Sequence, residues 1–229
     1  MPSRLDLALS RLENISRNKA AEMIASGAVS VNGVRRDKPS FLVEDSDAIA
    51  VSGADRFVSR SAYKLLYFLD EIQADIEING LNCLDIGASA GGWTQVLLRK
   101  GAKSVTAIDT GANQLSPILR SDPRVRSEEK TDIRGFKAPP FDLVVCDASF
   151  ISLEKIMTAI DDLAKDKIIA LFKPQFEVGK GIKRDKNGVV RDEKAIALAL
   201  ARFESAASGL KWILRAKRPS LLKGKAGAQ

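Results

Sequence analysis

The sequence predicts an α/β protein in which helices alternate with the strands of a twisted, mainly parallel sheet, preceded by a small α+β domain. Beyond about residue 60, short apolar runs typical of buried strands alternate with segments of helical periodicity. One run, CLDIGASAGGWTQVLL at residues 83–98, passes from a strand through a glycine-rich turn into a helix. With 229 residues, 45% of them hydrophobic, the chain can bury a sizeable core.

The small N-terminal domain is expected over residues 1–52, with a linker over 53–59. Its segment RLDLALSRL carries leucines at helical spacing, which predicts a first helix. Ser16 can cap a second helix and Gly27 can end it. The segment VSVNG then alternates apolar and polar residues up to an Asn-Gly turn, which indicates a β-hairpin.

The second domain is expected over residues 60–229, and an amphipathic helix at 59–69 opens it. Strands are predicted at 82–86, 103–108, 124–127, 141–147, 167–173 and 210–216, and the longest helix at 191–208. Strands that alternate with helices in this way form parallel sheets. In such a sheet, ligands bind beyond the carboxyl ends of the strands, near the point where the strand order reverses.

The composition excludes several classes of function. The chain has no histidine, which removes a Ser-His-Asp triad, and its two cysteines leave too few soft ligands for zinc, so we expect no metal. No apolar run reaches the roughly 18 to 20 residues of a membrane helix. The N-terminus lacks the apolar core of a signal peptide, so we expect a cytoplasmic protein that does not bind membranes.

The whole chain has a formal net charge of +7, and its basic residues are clustered in two segments. Residues 211–229 hold six Lys or Arg and no acid, and GKGIKRDKNGVVR at 179–191 is also basic. Such clusters indicate a polyanion as partner, although a solvated basic surface explains the charge alone equally well. We infer no obligatory protein partner.

The glycine-rich turn has the residue types of a nucleotide-like cofactor site. The backbone can approach a ligand closely at three glycines, Gly87, Gly91 and Gly92. Ser89, however, stands where the dinucleotide fingerprint has its second glycine. Asp109 ends the next strand, where it can accept from both ribose hydroxyls of an adenosine, and Asp85 suits a ligand with a sulfonium and an ammonium. These residues favour S-adenosyl-L-methionine over NAD.

The first fifty residues resemble the S4 RNA-binding domain through RLD, ISRNKAAEMIASGAVSVNG and KPS. In that family, the second helix and the following loop present cations to structured RNA. The resemblance implies an RNA-binding face, to which we add Arg60 from the following block: Arg4, Ser16, Arg17, Lys19, Lys38 and Arg60. A purely structural role for Arg17 or Lys19 stays open.

The remaining blocks resemble the TlyA family, which joins an S4 domain to an FtsJ-like domain. They are FVSRSAYKL, LDIGASAGGW, AIDTGANQL, KTDIRGF, FDLVVCDASFISL and LFKPQFEVGKGI, in the order and spacing of that family. The resemblance implies a Rossmann-like, S-adenosylmethionine-dependent methyltransferase sheet. It also implies 2'-O-methylation of a cytidine ribose in ribosomal RNA, more specifically of the large subunit, with ribosomal RNA or a ribosomal subunit as partner. Members of this family have also been labelled haemolysins.

The family's catalytic set is Lys-Asp-Lys-Glu, and the resemblance places its first three members on Lys64, Asp147 and Lys173. A ribose hydroxyl must lose its proton as it attacks, so we expect Lys173, as a neutral amine, to be the general base. Lys64 would orient the hydroxyl and stabilise the oxyanion, and Asp147 would position the amine. Asp132 is expected near the adenine amino group. Trp93 is placed near the methionine portion of the cofactor, with a core position as the alternative.

The fourth catalytic residue of the family has no counterpart here. The family has a Glu in a strand after a segment like SLLKGKAG, and this chain stops at Gln229, one position earlier. We therefore expect the second domain to lack its last strand. Two alternatives to an enzyme stay open: a noncatalytic RNA-binding protein, and a membrane-active cytolysin.

Overall fold

The computed structural model describes residues 2–13, 15–51, 57–72 and 76–222. The chain divides into two compact units, residues 1–57 and 58–229. Residues 53–56 of the predicted linker lie outside the described residues, as do residues 223–229 at the end of the basic C-terminal stretch.

The described part of the first unit contains two helices and five short strands. In chain order they are β1 (Ser3–Arg4), α1 (Leu5–Leu12), α2 (Arg17–Ala25), β2 (Val29–Val31), β3 (Val34–Arg36), β4 (Leu42–Val43) and β5 (Ile49–Val51). β2 pairs antiparallel with β3 and with β5, and β1 pairs antiparallel with β4. Apolar residues of both helices and of β2 and β4 form its core, including Leu5, Leu9, Ile24, Val29 and Val43.

Local signals in the sequence predicted this unit correctly. The Ser16 hydroxyl accepts from the backbone N–H of Lys19 at 3.2 Å, so Ser16 caps α2. Gly27 has a φ of 73° just beyond the end of that helix. Asn32 and Gly33, with φ of 51° and 77°, form the tight turn between β2 and β3.

The second unit alternates strands and helices over its described residues. Its elements are α3 (Ala62–Glu71), β6 (Asn82–Ile86), α4 (Gly92–Arg99), β7 (Ser104–Asp109), α5 (Pro117–Arg120), β8 (Val125–Glu129), β9 (Phe141–Cys146), α6 (Met157–Leu163), β10 (Ala164–Ala170), α7 (Pro174–Glu177) and α8 (Glu193–Gly209). Two short 3₁₀ helices lie at Ile133–Gly135 and Leu153–Lys155.

The five strands of this unit form one parallel sheet with the order β10-β9-β6-β7-β8. The chain starts at the central strand β6, builds to one side through β7 and β8, and then returns to add β9 and β10 on the other side. The strand order therefore reverses between β6 and β9. Some of the buried residues of these strands pack with α6 in one core, which includes Leu84, Ile108, Val144 and Ile160.

The α/β fold class is confirmed, and five of the predicted strands exist with ends shifted by up to three residues. The sixth predicted strand, at 210–216, is wrong: residues 212–220 have neither helical nor strand structure. Its alternating pattern suits a strand, yet these residues have no pairing partner within the described part of the chain. Ile213 and Leu214 are 71% and 64% exposed, and the Trp212 indole instead donates to Asp161 Oδ1 at 2.6 Å.

Candidate active site

The carboxyl edge of the sheet gathers the charged residues of the second unit. Asp109 is the last residue of β7, Asp147 directly follows β9, and Lys173 follows β10 by three residues. The glycine-rich turn leaves β6 next to β9, where the strand order reverses. This is the place in an open α/β sheet where a ligand binds.

The turn after β6 is narrow and is held by the neighbouring strands. The N–H groups of Gly87 and Ala88 both donate to the Ile108 carbonyl, at 2.9 and 3.1 Å. Gly87 has a φ of 81°, and a Cβ at this position would lie 2.9 Å from the Asp147 carbonyl oxygen. A side chain at 87 would therefore push apart the two strands that carry the site.

The start of α4 packs against the segment that leads into α3. A Cβ on Gly92 would lie 2.1 Å from the Ser59 hydroxyl. The Trp93 indole donates to the Ser61 carbonyl at 2.9 Å, and Gln95 Oε1 accepts from the Val58 N–H at 2.7 Å. Trp93 is only 3% exposed, so its packing favours the core position over a contact with the cofactor.

Asp85 is completely buried in β6. Burial raises the pKa of its carboxyl group to about 7, against the effect of the hydrogen bond that Thr94 Oγ1 donates to Oδ2 at 2.6 Å. Asp147 and Asp109 raise this pKa further. Within the described residues, Asp85 Oδ1 is a buried oxygen with no hydrogen-bond partner. A buried acceptor without a donor is costly, so this oxygen suits a donor that is not part of the chain.

Two further predicted cofactor residues hold the loops around the site. Asp109 accepts from the Ser89 N–H at 2.8 Å and from the Gly111 N–H at 2.7 Å, one on each carboxylate oxygen, so each oxygen keeps acceptor capacity. Asp132 caps the 3₁₀ helix at 133–135 and pairs with Arg134, whose hydrogen bond is the main reason that the pKa of Asp132 falls to about 2. Asp132 therefore already has a partner within the chain.

The structure brings the three predicted catalytic residues together. Lys173 Nζ lies 2.6 Å from Asp147 Oδ1, and these two side chains are 13% and 12% exposed. The same ammonium donates to the Asp147 carbonyl at 3.0 Å and to the Ser149 hydroxyl at 2.8 Å. Burial lowers the pKa of Lys64 on α3; Lys173 and Arg60 lower it further, and Asp147 opposes them.

Two residues of the loop after Asp147 were not singled out from the sequence. The Ser149 hydroxyl accepts a hydrogen bond from Lys173 Nζ. Phe150 is 91% exposed with a φ of 66°, and its ring packs against that of Phe176 at 5.3 Å between centroids. An exposed aromatic ring in a strained backbone conformation indicates a contact surface. The sequence offers no signal for it, because SFISL reads as an ordinary apolar run.

In the first unit, two of the predicted RNA-binding arginines also hold the fold. Arg4 and Arg17 both pair with Asp6, whose side chain is only 6% exposed. The hydrogen bond from Arg4 is the largest of the effects that lower the pKa of Asp6 to about 2. The two arginine side chains are still about half exposed, at 46% and 52%, and Lys38 is exposed.

The hairpin of the first unit carries two more arginines that were not predicted to bind RNA. Arg35 donates to the Ser26 carbonyl at 3.2 Å, and the guanidinium of Arg36 lies 4.3 Å from the centre of the Phe41 ring. Their signal in the sequence was the doublet VRR after the Asn-Gly turn.

Comparison with known families agrees with this geometry. Residues 57–228 match the FtsJ-like methyltransferase family, and residues 3–49 match the S4 domain. The fold and the site thus define an FtsJ-like methyltransferase joined to an S4 domain.

The relatives include the 23S rRNA (cytidine-2'-O)-methyltransferase TlyA of Campylobacter jejuni, which is 45% identical over 98% of this chain and 95% of its own length. The 16S/23S rRNA (cytidine-2'-O)-methyltransferase TlyA of Mycobacterium tuberculosis is 41% identical over 93% of this chain and 81% of its own. Hemolysin A of Brachyspira hyodysenteriae is 39% identical over 78% and 76%. The chain belongs to the TlyA family, as its motifs predicted.

A solved structure has the same architecture. A protein from Streptococcus thermophilus, assigned as a hemolysin, superposes with a TM-score of 0.70 and 33% identity. The match covers 99% of this chain and 85% of the other.

Proposed function

We propose that this chain transfers a methyl group from S-adenosylmethionine to the 2'-hydroxyl of a cytidine ribose in ribosomal RNA, in the large subunit. The observation that carries the proposal is the ion pair of Lys173 and Asp147, with Lys64 nearby, at the carboxyl edge beside the glycine-rich turn. The names of the two TlyA relatives support the substrate, since both include 23S rRNA and cytidine. In this proposal residues 1–52 bind RNA and residues 60–229 carry out the transfer.

The residues of the turn fit S-adenosylmethionine. The buried Oδ1 of Asp85, which has no hydrogen-bond partner among the residues that the structure describes, suits a cationic donor. Both oxygens of Asp109 can still accept from ribose hydroxyls. When bound, the cofactor supplies a methyl group on a positively charged sulfur. The residues proposed to hold it are Asp85, Gly87, Ser89, Gly91, Gly92 and Asp109; contacts from Trp93 and Asp132 stay predictions.

We assign the roles of the lysines from their contacts. Lys173 Nζ forms an ion pair with Asp147 Oδ1 and donates to the Asp147 carbonyl and the Ser149 hydroxyl, and as general base it accepts the proton of the ribose hydroxyl. Asp147 and Ser149 fix the position of its nitrogen. Lys64 orients the ribose hydroxyl and stabilises the charge that develops on its oxygen. Alignment of the hydroxyl with the methyl group supplies a further part of the acceleration.

The exposed ring of Phe150 is proposed to stack on a base of the RNA next to the target ribose. Single bases that leave an RNA helix stack on aromatic side chains, and Phe176 supports this ring from behind. Phe150→Ala should raise the KM for RNA about tenfold, since stacking contributes roughly 1–3 kcal/mol per base, and leave cofactor binding unchanged. An unchanged KM would remove Phe150 from the RNA surface.

A labelling assay tests the proposed function. Cofactor carrying a radioactive methyl group is offered with unmodified large and small ribosomal subunits, and the labelled nucleotide is identified after nuclease digestion. We expect label on a cytidine 2'-oxygen of the large-subunit RNA, and we expect Lys173→Ala to bind the cofactor without transferring the methyl group. Cofactor and RNA binding without any labelling would support the noncatalytic alternative.

Some relatives carry the name hemolysin. Over the described residues, no helix is long and apolar enough to cross a membrane.

A further inference from the structure

The short helix α7 has a charged residue at each end. Lys173 is its N-cap residue, and Glu177 is its last residue. Glu177 is only 3% exposed, and burial raises the pKa of its carboxyl group. A buried acid is stable in a fold only if its oxygens have donors, so the partners of Glu177 show what it holds.

Both partners of the Glu177 carboxylate lie on the loop that starts at Asp147. The Ser152 hydroxyl donates to Oε2 at 2.6 Å, and the Leu153 N–H donates to Oε1 at 3.0 Å. These two residues begin the 3₁₀ helix Leu153–Lys155. Glu177, at the C-terminal end of α7, thus binds the C-terminal end of the loop 147–153 to the helix.

The loop and α7 are therefore joined at both ends and between them. At the near end, Lys173 binds the side chain and carbonyl of Asp147 and the hydroxyl of Ser149. In between, the rings of Phe150 and Phe176 are in contact. Removing the Glu177 carboxylate would take away both hydrogen bonds between the last residue of α7 and the loop, and so loosen the loop from the helix at that end.

Arg202 on α8 contacts both the last residue of α7 and the 3₁₀ helix Leu153–Lys155. It donates to the Glu177 carbonyl at 2.8 Å and to the Glu154 carboxylate at 2.6 Å. One guanidinium on α8 therefore binds the end of α7 and the 3₁₀ helix together, which limits how far they can move apart.

We propose that Glu177 is a positioning residue for methyl transfer, which keeps Lys173 aligned on Asp147 through α7 and the loop 147–153. Both of its oxygens bind the loop, so it acts without touching the substrate. This inference rests on the proposed function. It assigns a role to the acid of the QFEVG block, which lies outside the catalytic set expected from the family.

Two substitutions at this position separate alignment from charge. Glu177→Ala removes both bonds to the loop. Glu177→Gln keeps both, because its Oε1 can accept from the Leu153 N–H and its Nε2 can donate to the Ser152 oxygen. Glu204→Ala is the matched control, since it removes an acid of α8 that pairs with Lys217 away from the loop.

For each variant, kcat and the KM for ribosomal RNA are measured with labelled cofactor, together with the cofactor Kd and the melting temperature. We expect Glu177→Ala to lower kcat about tenfold or more, with KM and cofactor Kd within about twofold, because misalignment of a reacting group is expensive. Glu177→Gln should stay within about threefold of the wild-type kcat, and Glu204→Ala should be unchanged. If Glu177→Ala does not fold, Ser152→Ala, which removes the bond to Glu177 Oε2 and the acceptor of the Glu154 N–H, should lower kcat about threefold.

A wild-type kcat in Glu177→Ala, or in Ser152→Ala where that variant replaces it, would overturn the inference. A Gln variant as slow as the Ala variant would also overturn the inference. The loss of the negative charge, and not the loss of alignment, would then explain the lower kcat. A loss that only follows the unfolded fraction would show a structural role alone. If the wild-type chain labels no ribosomal RNA, the proposed function fails and this inference fails with it. A failure confined to the variants leaves the function intact.

Discussion

Asp85 shows how one buried side chain can make cofactor binding depend on pH. Burial raises the pKa of this carboxyl group to about 7, so both of its protonation states are populated near neutrality. A cationic ligand favours the ionised state, while the buried surroundings favour the neutral state. Binding and ionisation are therefore coupled at this residue.

We expect the affinity for S-adenosylmethionine to rise from about pH 6 to about pH 8, because Asp85 becomes negatively charged over that interval. The pKa is raised in the folded state, so the stability linked to Asp85 is present at low pH and is lost as the pH rises from 3.8 through 7. Asp85→Asn should bind the cofactor weakly at every pH and melt no lower than the wild type at high pH. Calorimetric titration and thermal melting across pH measure both effects; a wild-type Kd that does not change with pH would contradict the prediction.

The two lysines should respond differently to replacement by arginine. Arginine cannot give up its proton at accessible pH, so Lys173→Arg keeps a cation near Asp147 but removes the base. We expect its single-turnover rate to fall by about a hundredfold or more. Lys64→Arg should retain a larger rate, because orientation and charge stabilisation need only a cation. Equal losses in the two variants would refute the assigned roles.

At the level of elements, α4 links the glycine-rich turn to the helix that carries Lys64. Gly92, Trp93 and Gln95 all contact the segment that precedes α3. These contacts fix the position of Lys64 relative to the glycine-rich turn, although the two are separated in the sequence.

Trp93→Phe should therefore disturb catalysis as well as folding. It leaves the Ser61 carbonyl without its indole donor, which costs about 1–3 kcal/mol of stability. Because Ser61 begins the turn into α3, we also expect a lower kcat. Trp212→Phe is the control, since it loses a comparable indole bond, to Asp161, away from the site. If melting and kcat fall equally in the two variants, the proposed coupling is absent.

The segment 210–216 shows what pattern alone cannot decide about an element. Its alternation of apolar and polar residues is that of a strand, but a strand exists only if a neighbour satisfies its N–H and C=O groups. Within the described residues it pairs with no strand. The strands β6 and β9, by contrast, are mostly apolar and pair with neighbours on both sides, and both were predicted correctly.

For the whole molecule, the first unit is expected to contribute affinity and the second to contribute chemistry. The cations of the first unit are of two kinds: Arg4 and Arg17 neutralise the buried Asp6, whereas Lys38 is exposed. Substitution of an arginine that pairs with Asp6 should therefore affect both stability and RNA binding, whereas substitution of Lys38 should affect RNA binding alone.

Lys38→Ala should weaken binding to ribosomal RNA and reduce the salt dependence by about one phosphate contact, with an unchanged melting temperature. Arg17→Ala should lower both RNA affinity and melting temperature, because Asp6 loses one of its two partners. Lys165→Ala removes the same charge at the amino end of β10, opposite the ligand edge, and should bind RNA like the wild type. Binding measured against salt concentration tests all three; if Lys165→Ala binds as weakly as Lys38→Ala, only net charge matters.

The sequence by itself determined the order of strands and helices, the caps and turn of the first unit, the family and the residue types of the site. These are local properties: apolar periodicity, φ preferences and short motifs depend on neighbours along the chain. Only the tertiary structure decided that Trp93 packs in the core, that Phe150 is exposed, and that Glu177 binds the loop after Asp147. It also decided that Asp85 Oδ1 has no hydrogen-bond partner in the described part of the chain. Burial, hydrogen-bond satisfaction and pKa depend on which distant segments meet, and no local pattern specifies that meeting.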